Sequence, residues 1–193
     1  ATSNNATLTV RLPNNLGEFH GGLVAYYPFS GNSNDESGSG HHGTVNGAVL
    51  STDRFGIGNK AYSFDGVNNH IVVPESAVNT GFGYSNPFSL TAWVQMDNVT
   101  GKHSIYRSDH DFDFLLHNGK LWAETFQGNN YKEEQSSIQL TAGANKWYHL
   151  VAVWDVTDWK LYVDAVLIDA NTTTLTLPSP GAVSHPTWIG KSL

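Results

Sequence analysis

The 193-residue sequence predicts an all-β fold, an antiparallel sandwich or jelly roll built from two sheets. Three observations lead to this prediction. Short runs of alternating apolar and polar residues recur about every 8 to 12 residues, as they do in sandwiches. Turn-forming residues separate the runs, 19 glycines among them, and aromatic residues make up 12% of the chain. No segment shows the periodicity of about 3.6 residues that marks a long helix.

The strands are predicted in chain order from this alternation. Residues 1–20 form an N-terminal alternating run (ATLTVRL, 6–12) and a polar linker, so one domain is predicted for residues 21–193. Its first run, LVAYYPF, is densely apolar and suits a central strand. Strands are predicted at 23–29, 44–50, 61–64, 70–74, 88–96, 103–107, 111–117, 120–126, 147–155, 159–169 and 186–191.

Two dipeptides between these runs predict tight hairpin turns. They are Asp65-Gly66 and Asn118-Gly119, and each lies between β-prone segments. Both residue pairs tolerate the positive φ angles that two-residue hairpin turns require.

Composition excludes several classes of partner. A formal net charge of -7, with only 10 lysine and arginine residues, argues against a nucleic acid, whose phosphates need a basic stripe. The absence of cysteine excludes disulfides and thiolate metal sites. No apolar stretch approaches the roughly 20 residues that span a bilayer, so no membrane insertion is predicted. Neutral ligands and cations remain the favoured partners.

Several stretches occur in the order found in one known family. They are GLVAYYPFSGNSNDESGSGHHGTVNGA (22–48), AYSFDGVNNHIVVP (61–74), FSLTAWVQ (88–95), HNGKLW (117–122), KWYHLVAVWD (146–155), LYVDAVL (161–167) and WIG (188–190). Together they resemble the laminin-G-like, or concanavalin A-like, lectin–glucanase jelly-roll superfamily. The resemblance implies a concanavalin A-like antiparallel two-sheet jelly-roll sandwich. That fold hosts lectins, glycosidases, adhesive modules and spacers, so it implies no single function.

Two departures from the family pattern lead to expectations of their own. Relatives have Asn-Gly where this chain has Asp164-Ala165, and alanine tolerates positive φ poorly, so this turn is expected to differ from the usual tight type. Relatives also continue past the WIG-like strand to a final strand beside the first, which is expected to be missing here. The run Leu23–Phe29 then needs a cover. Residues 6–12 are predicted to supply it, the alternative being a partner chain or a strand of the parent protein.

The polar loop 30–43 is a candidate calcium site. Its short oxygen-bearing side chains and glycines suit Ca²⁺, which takes 6 to 8 oxygen ligands. In similar domains the aspartate of an NDxSG motif often anchors a structural calcium, and Asp35 matches that aspartate. The expected ligands are Asn32, Asp35, Ser37 and Gly38. The alternative is a solvated loop without metal.

The stretch SDHDFDF (108–114) places three aspartates at alternate positions. In an extended strand Asp109, Asp111 and Asp113 share one face, while Phe112 and Phe114 face the core. Some glycosidases of the superfamily carry catalytic acids at this spacing. The outer two Cα atoms lie about 13 Å apart, whereas retaining hydrolysis needs carboxyl groups about 5–5.5 Å apart. A polar strand face is therefore preferred, and an inverting pair at Asp109 and Asp111 stays open.

A sugar-binding surface is predicted beside this strand. Trp122, Glu124 and Phe126 share one strand face, and a face mixing tryptophan, glutamate and phenylalanine indicates binding. The alternative is that Trp122 and Phe126 pack under a covering loop. The predicted ligand-binding residues are Tyr106, Arg107, Asp111, Asp113, His117, Trp122, Phe126 and Tyr131.

The function predicted from the sequence is a non-catalytic carbohydrate-binding or adhesive module with a structural calcium. It would belong to a larger secreted or cell-surface protein, of bacterial origin, whose partner is a glycan or polysaccharide. One alternative is a glycoside-active enzyme that uses Asp109, Asp111 or Asp113. The other is a spacer or protein-interaction domain without affinity for sugar.

Overall fold

The structure is a computed structural model that describes residues 22–74, 87–108, 112–127, 130–170 and 187–191. Strands and turns make up the described part, and none of its residues forms a helix that could cross a membrane. The strands are β1 (Thr44–Asn46), β2 (Val49–Ser51), β3 (Ala61–Ser63), β4 (His70–Val73), β5 (Phe88–Gln95), β6 (Lys102–Ser108), β7 (Phe112–His117), β8 (Lys120–Gln127), β9 (Asn130–Gln135), β10 (Trp147–Trp154), β11 (Trp159–Val163), β12 (Val166–Ala170) and β13 (Thr187–Ile189).

The strands form two main sheets and a small hairpin. The larger sheet has seven strands in the order β1-β4-β13-β6-β7-β8-β9, and the smaller has four in the order β12-β11-β10-β5. Among the described strands, β2 and β3 pair only with each other. Every named strand pair is antiparallel. The predicted all-β antiparallel architecture is therefore confirmed.

The core lies between the two main sheets and follows the alternation of the sequence. In β10 every second residue is buried, and Leu150, Ala152 and Trp154 have no exposed surface. In β7 the inward residues Phe114 and Leu116 belong to the same cluster. Each large buried side chain contributes about 1.5–3 kcal/mol. The inward side chains thus decide which residues face outward on the larger sheet.

The prediction of a central strand at residues 23–29 is wrong. The Tyr26 carbonyl accepts a hydrogen bond from Glu36 N–H at 2.8 Å, and Tyr26 N–H donates to Asp35 Oδ1 at 2.9 Å. Within the described part of the chain, this segment therefore bonds to the loop that follows it and not to a strand. Leu23 and Tyr26 are exposed. The predicted cover, residues 6–12, lies outside the described residues.

The hairpin predicted at Asp65-Gly66 does not form. The strands on either side of it, β3 and β4, have no pairing with each other. Asp65 Oδ1 instead accepts three backbone N–H bonds, from Val67, Asn68 and Asn69, at 2.9–3.0 Å. The side chain thus holds a longer turn, as aspartate does in Asx turns.

The turn between β11 and β12 is tight, contrary to expectation. Asp164 and Ala165 have φ of 49° and 66°. Positive φ at both central residues is the mark of a type I′ hairpin turn. Ala165 thus adopts a conformation that costs a residue with a Cβ atom about 1–2 kcal/mol.

Two substitutions of Ala165 should change the stability of the protein in opposite directions. Ala165→Gly is expected to raise the free energy of unfolding by about 1 kcal/mol, because glycine has no Cβ to clash at positive φ. Ala165→Val should lower it, since β-branched residues are disfavoured there. Urea denaturation measures both, and an equal stability of all three proteins would contradict the turn geometry.

Candidate functional site

The outer face of the seven-stranded sheet carries a row of charged side chains. Strand register places Trp188 opposite Arg107, Arg107 opposite Asp113, Asp113 opposite Glu124, and Glu124 opposite Glu133. Residues opposite each other on neighbouring strands share a face. Since the neighbours of Asp113 along β7 are core phenylalanines, the whole row faces away from the core.

Two cations neutralise the acids at the centre of this row. Arg107 Nη1 lies 3.6 Å from Asp113 Oδ2, and Lys102 Nζ lies 3.7 Å from Glu124 Oε1. The Asp113 and Glu124 side chains are only 5% and 8% exposed, so each needs such a partner. Both distances exceed the roughly 2.7–2.9 Å of a charge-assisted hydrogen bond. Each carboxylate is therefore paired with a cation and lies almost fully beneath the surface of this face.

Burial changes the acidity of both carboxyl groups. It raises the pKa of Asp113 to about 6, although the Arg107 cation opposes the change and the Glu124 charge adds to it. Burial likewise raises the pKa of Glu124, against the opposing charge of Lys102. Two acids of reduced acidity thus stand side by side on neighbouring strands.

Aromatic rings flank the charged row. Trp122 lies on the same face, opposite Leu115, and is half-buried. The His117 ring lies 5.5 Å from the Trp122 ring, and Lys102 Nζ lies 5.9 Å from it. At the other end of the row, Lys191 Nζ lies 3.6 Å above the Trp188 ring. The face thus combines hydrogen-bonding groups with aromatic rings.

The structure brings four of the eight predicted ligand-binding residues to this face, namely Arg107, Asp113, His117 and Trp122. Tyr106 does not join them. It points to the opposite face, where its ring stacks on Phe112 at 5.2 Å against the core. Neighbouring residues on a strand point opposite ways, so Tyr106 and Arg107 cannot share a face.

The other predicted residues fall outside what the structure describes. Asp111, the side chains of Phe126 and Tyr131, and the alternative catalytic residue Asp109 all lie there.

The predicted ligand-binding residues do not include four residues of this face, Lys102, Glu124, Glu133 and Trp188. Glu124 alternates with Trp122, and that signal was enough to include it. Lys102 and Trp188 lie beside the row because of the register between neighbouring strands. Alternation within one strand does not predict that register.

Asp35 in the loop 30–43 is held by four hydrogen bonds. Its Oδ1 accepts from Tyr26 N–H and Ser37 N–H, both at 2.9 Å. Its Oδ2 accepts from the Ser37 hydroxyl at 2.9 Å and from His41 N–H at 3.0 Å. Burial raises the pKa of Asp35, but these bonds outweigh it and hold the pKa below its ordinary value. Asp35 thus ties the loop to the segment before it.

These bonds do not fit a calcium anchored on Asp35. A carboxylate offers about four acceptor sites, and protein donors occupy all of them. Ser37 directs its hydroxyl to Asp35, and Asn32 Oδ1 accepts Asn34 N–H at 2.9 Å. No cluster of three or more metal-binding side chains occurs among the described residues. The calcium site predicted from the sequence, with Gly38 as a further ligand, is therefore untested, and the contacts of Asp35 argue against it.

The pH dependence of stability should report the burial of Asp113. Its pKa in the folded chain, about 6, lies above the ordinary value of 3.8, so the folded state holds more protons between these values. Its contribution to stability is therefore greatest below about pH 4 and is lost as pH rises through 6. As the pH rises from 4 to 8, the free energy of unfolding of Asp113→Asn should increase by roughly 2–3 kcal/mol relative to that of the wild type. Urea denaturation measures this difference, and a difference independent of pH would contradict the assignment.

Two measurements distinguish a hydrogen-bonding role of Asp35 from a role as a calcium ligand. Asp35→Ala should lower the free energy of unfolding by about 3 kcal/mol or more, because it leaves buried donors unpaired. Asp65→Ala is the matched control: Asp65 also accepts backbone N–H bonds but is exposed, so water replaces the carboxylate. EDTA should leave the melting temperature of the wild type unchanged. A clear fall with EDTA would instead support the calcium site.

Comparison with known proteins gives a family and a fold. The model of the concanavalin A-like lectin/glucanases superfamily matches residues 65–193. No match to the chain is found among curated proteins.

Solved structures share the fold at low sequence identity. Domain 4 of AbnA, an extracellular GH43 arabinanase from Geobacillus stearothermophilus in complex with arabinotriose, has a TM-score of 0.68 and 19% identity, over 89% of this chain and 84% of that one. The binding domain of botulinum neurotoxin DC in complex with SialylT has a TM-score of 0.65 and 15% identity, over 90% of this chain and 44% of that one.

A structure of botulinum neurotoxin type C, whose cell entry depends on two ganglioside molecules, has a TM-score of 0.63 and 13% identity, over 93% of this chain and 45% of that one. The chain thus spans less than half the length of these toxin chains. At such identities the likeness shows the fold alone. The family match covers most of the chain, and the chain belongs to the concanavalin A-like lectin/glucanases superfamily.

Proposed function

We propose that the chain is a non-catalytic carbohydrate-binding or adhesive module of a larger exported protein, and that the outer face of the seven-stranded sheet binds the glycan. The family includes lectins, and similar folds occur in a domain bound to arabinotriose and in toxin domains that bind gangliosides or SialylT. The enzyme with the arabinotriose-bound domain is extracellular, which supports the exported location.

One observation carries the proposal: charged groups and an aromatic ring lie together on an outer sheet face. Arg107 and Lys102, whose side chains are 24% and 38% exposed, can donate hydrogen bonds to sugar hydroxyls, and the exposed Glu133 can accept them. The half-buried Trp122 ring can contact the apolar C–H face of a sugar. From Trp188 to Glu133 the row crosses four strand intervals, about 19 Å, so it accommodates more than one sugar ring.

The charge balance indicates the kind of glycan. Because Arg107 and Lys102 are each matched by a carboxylate, the centre of the face favours uncharged hydroxyl groups over a strongly anionic ligand. A neutral oligosaccharide is therefore the proposed ligand class.

A glycoside-active enzyme is the second candidate. The observation in its favour is that Asp113, with a pKa of about 6, stands opposite Glu124 on the neighbouring strand. Acid–base catalysis uses such pairs. Against it, a cation lies close to each of the two carboxyl groups. Release of reducing sugar from a polysaccharide panel, lost in Asp113→Asn, would favour the enzyme over the binding module.

Glycan binding should depend on Trp122 and not on Trp93, which is exposed on the other main sheet. Trp122→Ala is expected to weaken binding at least about tenfold, because stacking on an aromatic ring is lost. Trp93→Ala is the matched control: Trp93 lies on the outer face of the smaller sheet and is 45% exposed. A glycan array followed by calorimetry measures both. Full binding by Trp122→Ala would show that this face does not bind the glycan. If no glycan on the array binds the wild type, the alternative function as a spacer or protein-interaction domain is supported instead.

A further inference from the structure

The Arg54 guanidinium lies between two aromatic rings at the outer face of the smaller sheet. Its central carbon, Cζ, is 4.2 Å from the ring centre of Phe55 and 4.4 Å from that of Trp93. Phe55 and Trp93 have no ring contact with each other among the described residues, so the guanidinium separates them. The ring of His149, on β10, also stacks on Trp93, at 4.9 Å. The stack therefore joins the β2–β3 hairpin to β5 and β10.

The turn that carries Arg54 is fixed by hydrogen bonds of its own. Asp53 Oδ1 accepts the N–H groups of Phe55 and Ile57, both at 2.9 Å. Asp53 N–H donates to the Ile57 carbonyl at 3.0 Å, and Gly56 N–H donates to the Asp53 carbonyl at 3.1 Å. Gly56 has a φ of 80°, a conformation that favours glycine. The turn therefore holds the backbone of Arg54 and Phe55 in one conformation.

The positive charge of Arg54 is not neutralised within the described part of the chain. Arg54 is exposed, and its guanidinium has neither an ion pair nor a hydrogen bond among the described residues. The adjacent carboxylate, Asp53, directs its Oδ1 into the turn instead. A guanidinium carries five N–H donors at its edge, whereas the two rings contact its faces. The stack thus positions the cation and leaves its donors open to a ligand.

Large apolar side chains surround this cation. Phe55, Ile57 and Trp93 are 70%, 53% and 45% exposed. Arginine and aromatic residues are enriched among the residues that contribute most to protein–protein binding. A side chain that is already held in position also loses less conformational entropy when a partner binds. The Arg54 site, formed by Arg54, Phe55, Ile57 and Trp93, therefore has the composition of a protein-binding surface.

The geometry of the stack favours a carboxylate on a peptide over a carboxylate on a sugar. The edge of a guanidinium matches a carboxylate, which can accept two parallel N–H bonds from it. A sugar ring would need an open aromatic face, and Arg54 and His149 both lie within 5 Å of the Trp93 ring centre. Two groups this close to one ring occupy its opposite faces, so Trp93 has no face left for a sugar.

We propose that the Arg54 site binds an acidic segment of a partner protein, in which an aspartate or glutamate is flanked by apolar side chains. The carboxylate accepts hydrogen bonds from the Arg54 guanidinium, and the apolar side chains pack on Phe55 and Ile57. This site lies on the smaller sheet, apart from the proposed glycan face. It does not depend on whether that face binds sugar.

Two synthetic peptides that differ in one group provide the test. They are acetyl-Ala-Leu-Glu-Leu-Ala-amide and the same peptide with glutamine in place of glutamate. In an NMR titration of the whole chain, the glutamate peptide should cause saturable shifts of the Trp93 indole N–H and the Arg54 Nε–H. The glutamine peptide should bind at least about tenfold more weakly, because it offers no charge-assisted hydrogen bond. Equal binding of the two peptides, or no saturable shift at either resonance up to about 20 mM peptide, overturns the proposal.

Substitutions of two cations in the same hairpin separate recognition by Arg54 from general charge attraction. Arg54→Gln should abolish the preference for the glutamate peptide, and Arg54→Lys should not restore it fully, because lysine lacks the planar pair of donors. Lys60→Gln is the matched control, since Lys60 is exposed and removes the same charge. It should leave the preference unchanged. An equal loss in Arg54→Gln and Lys60→Gln overturns the proposal.

Methyl glucuronide tests the other source of a carboxylate, an acidic sugar. Because both faces of Trp93 are covered, it should bind the Arg54 site at least about tenfold more weakly than the glutamate peptide. The same two resonances measure this binding. Tighter binding of methyl glucuronide than of the glutamate peptide assigns the site to acidic sugars and overturns the proposal of a protein partner.

Discussion

The alternation of side chains along β7 is the constraint on which the rest of the larger sheet depends. Phe112, Phe114 and Leu116 face the core, which forces Asp113 onto the outer face. Burying the three apolar side chains contributes about 1.5–3 kcal/mol each. The raised pKa of Asp113 corresponds to a cost of only roughly 3 kcal/mol. The apolar burial wins, and a register slip of one residue would reverse both faces.

A neighbouring strand, β6, supplies the cations that neutralise the acidic side chains on the outer face. Arg107 on β6 approaches Asp113, and Lys102, also on β6, approaches Glu124 on β8. The outer face of the larger sheet therefore offers side-chain chemistry suited to hydroxyl groups.

The sequence predicted the parts of this arrangement that are local. Alternation in β5, β7 and β10 and the turn at Asn118-Gly119, where φ is 50° and 79°, could be read from neighbouring residues alone. The contact of Trp188 with the row could not, because it depends on β13 entering the sheet between β4 and β6. The strand predicted for the run LVAYYPF was wrong, because apolar content alone does not show which groups the backbone N–H and carbonyl groups of a segment bond to.

The central claim is that the outer face of the seven-stranded sheet binds the glycan. The 6 tryptophans of the chain are divided between the two outer sheet faces and the core, so their indole N–H resonances report directly on this claim. In an NMR titration with an oligosaccharide selected on a glycan array, the account predicts shifts at Trp122 and Trp188, and none at Trp93 or the buried Trp154. Shifts confined to Trp93, or no saturable shift at Trp122, would contradict it.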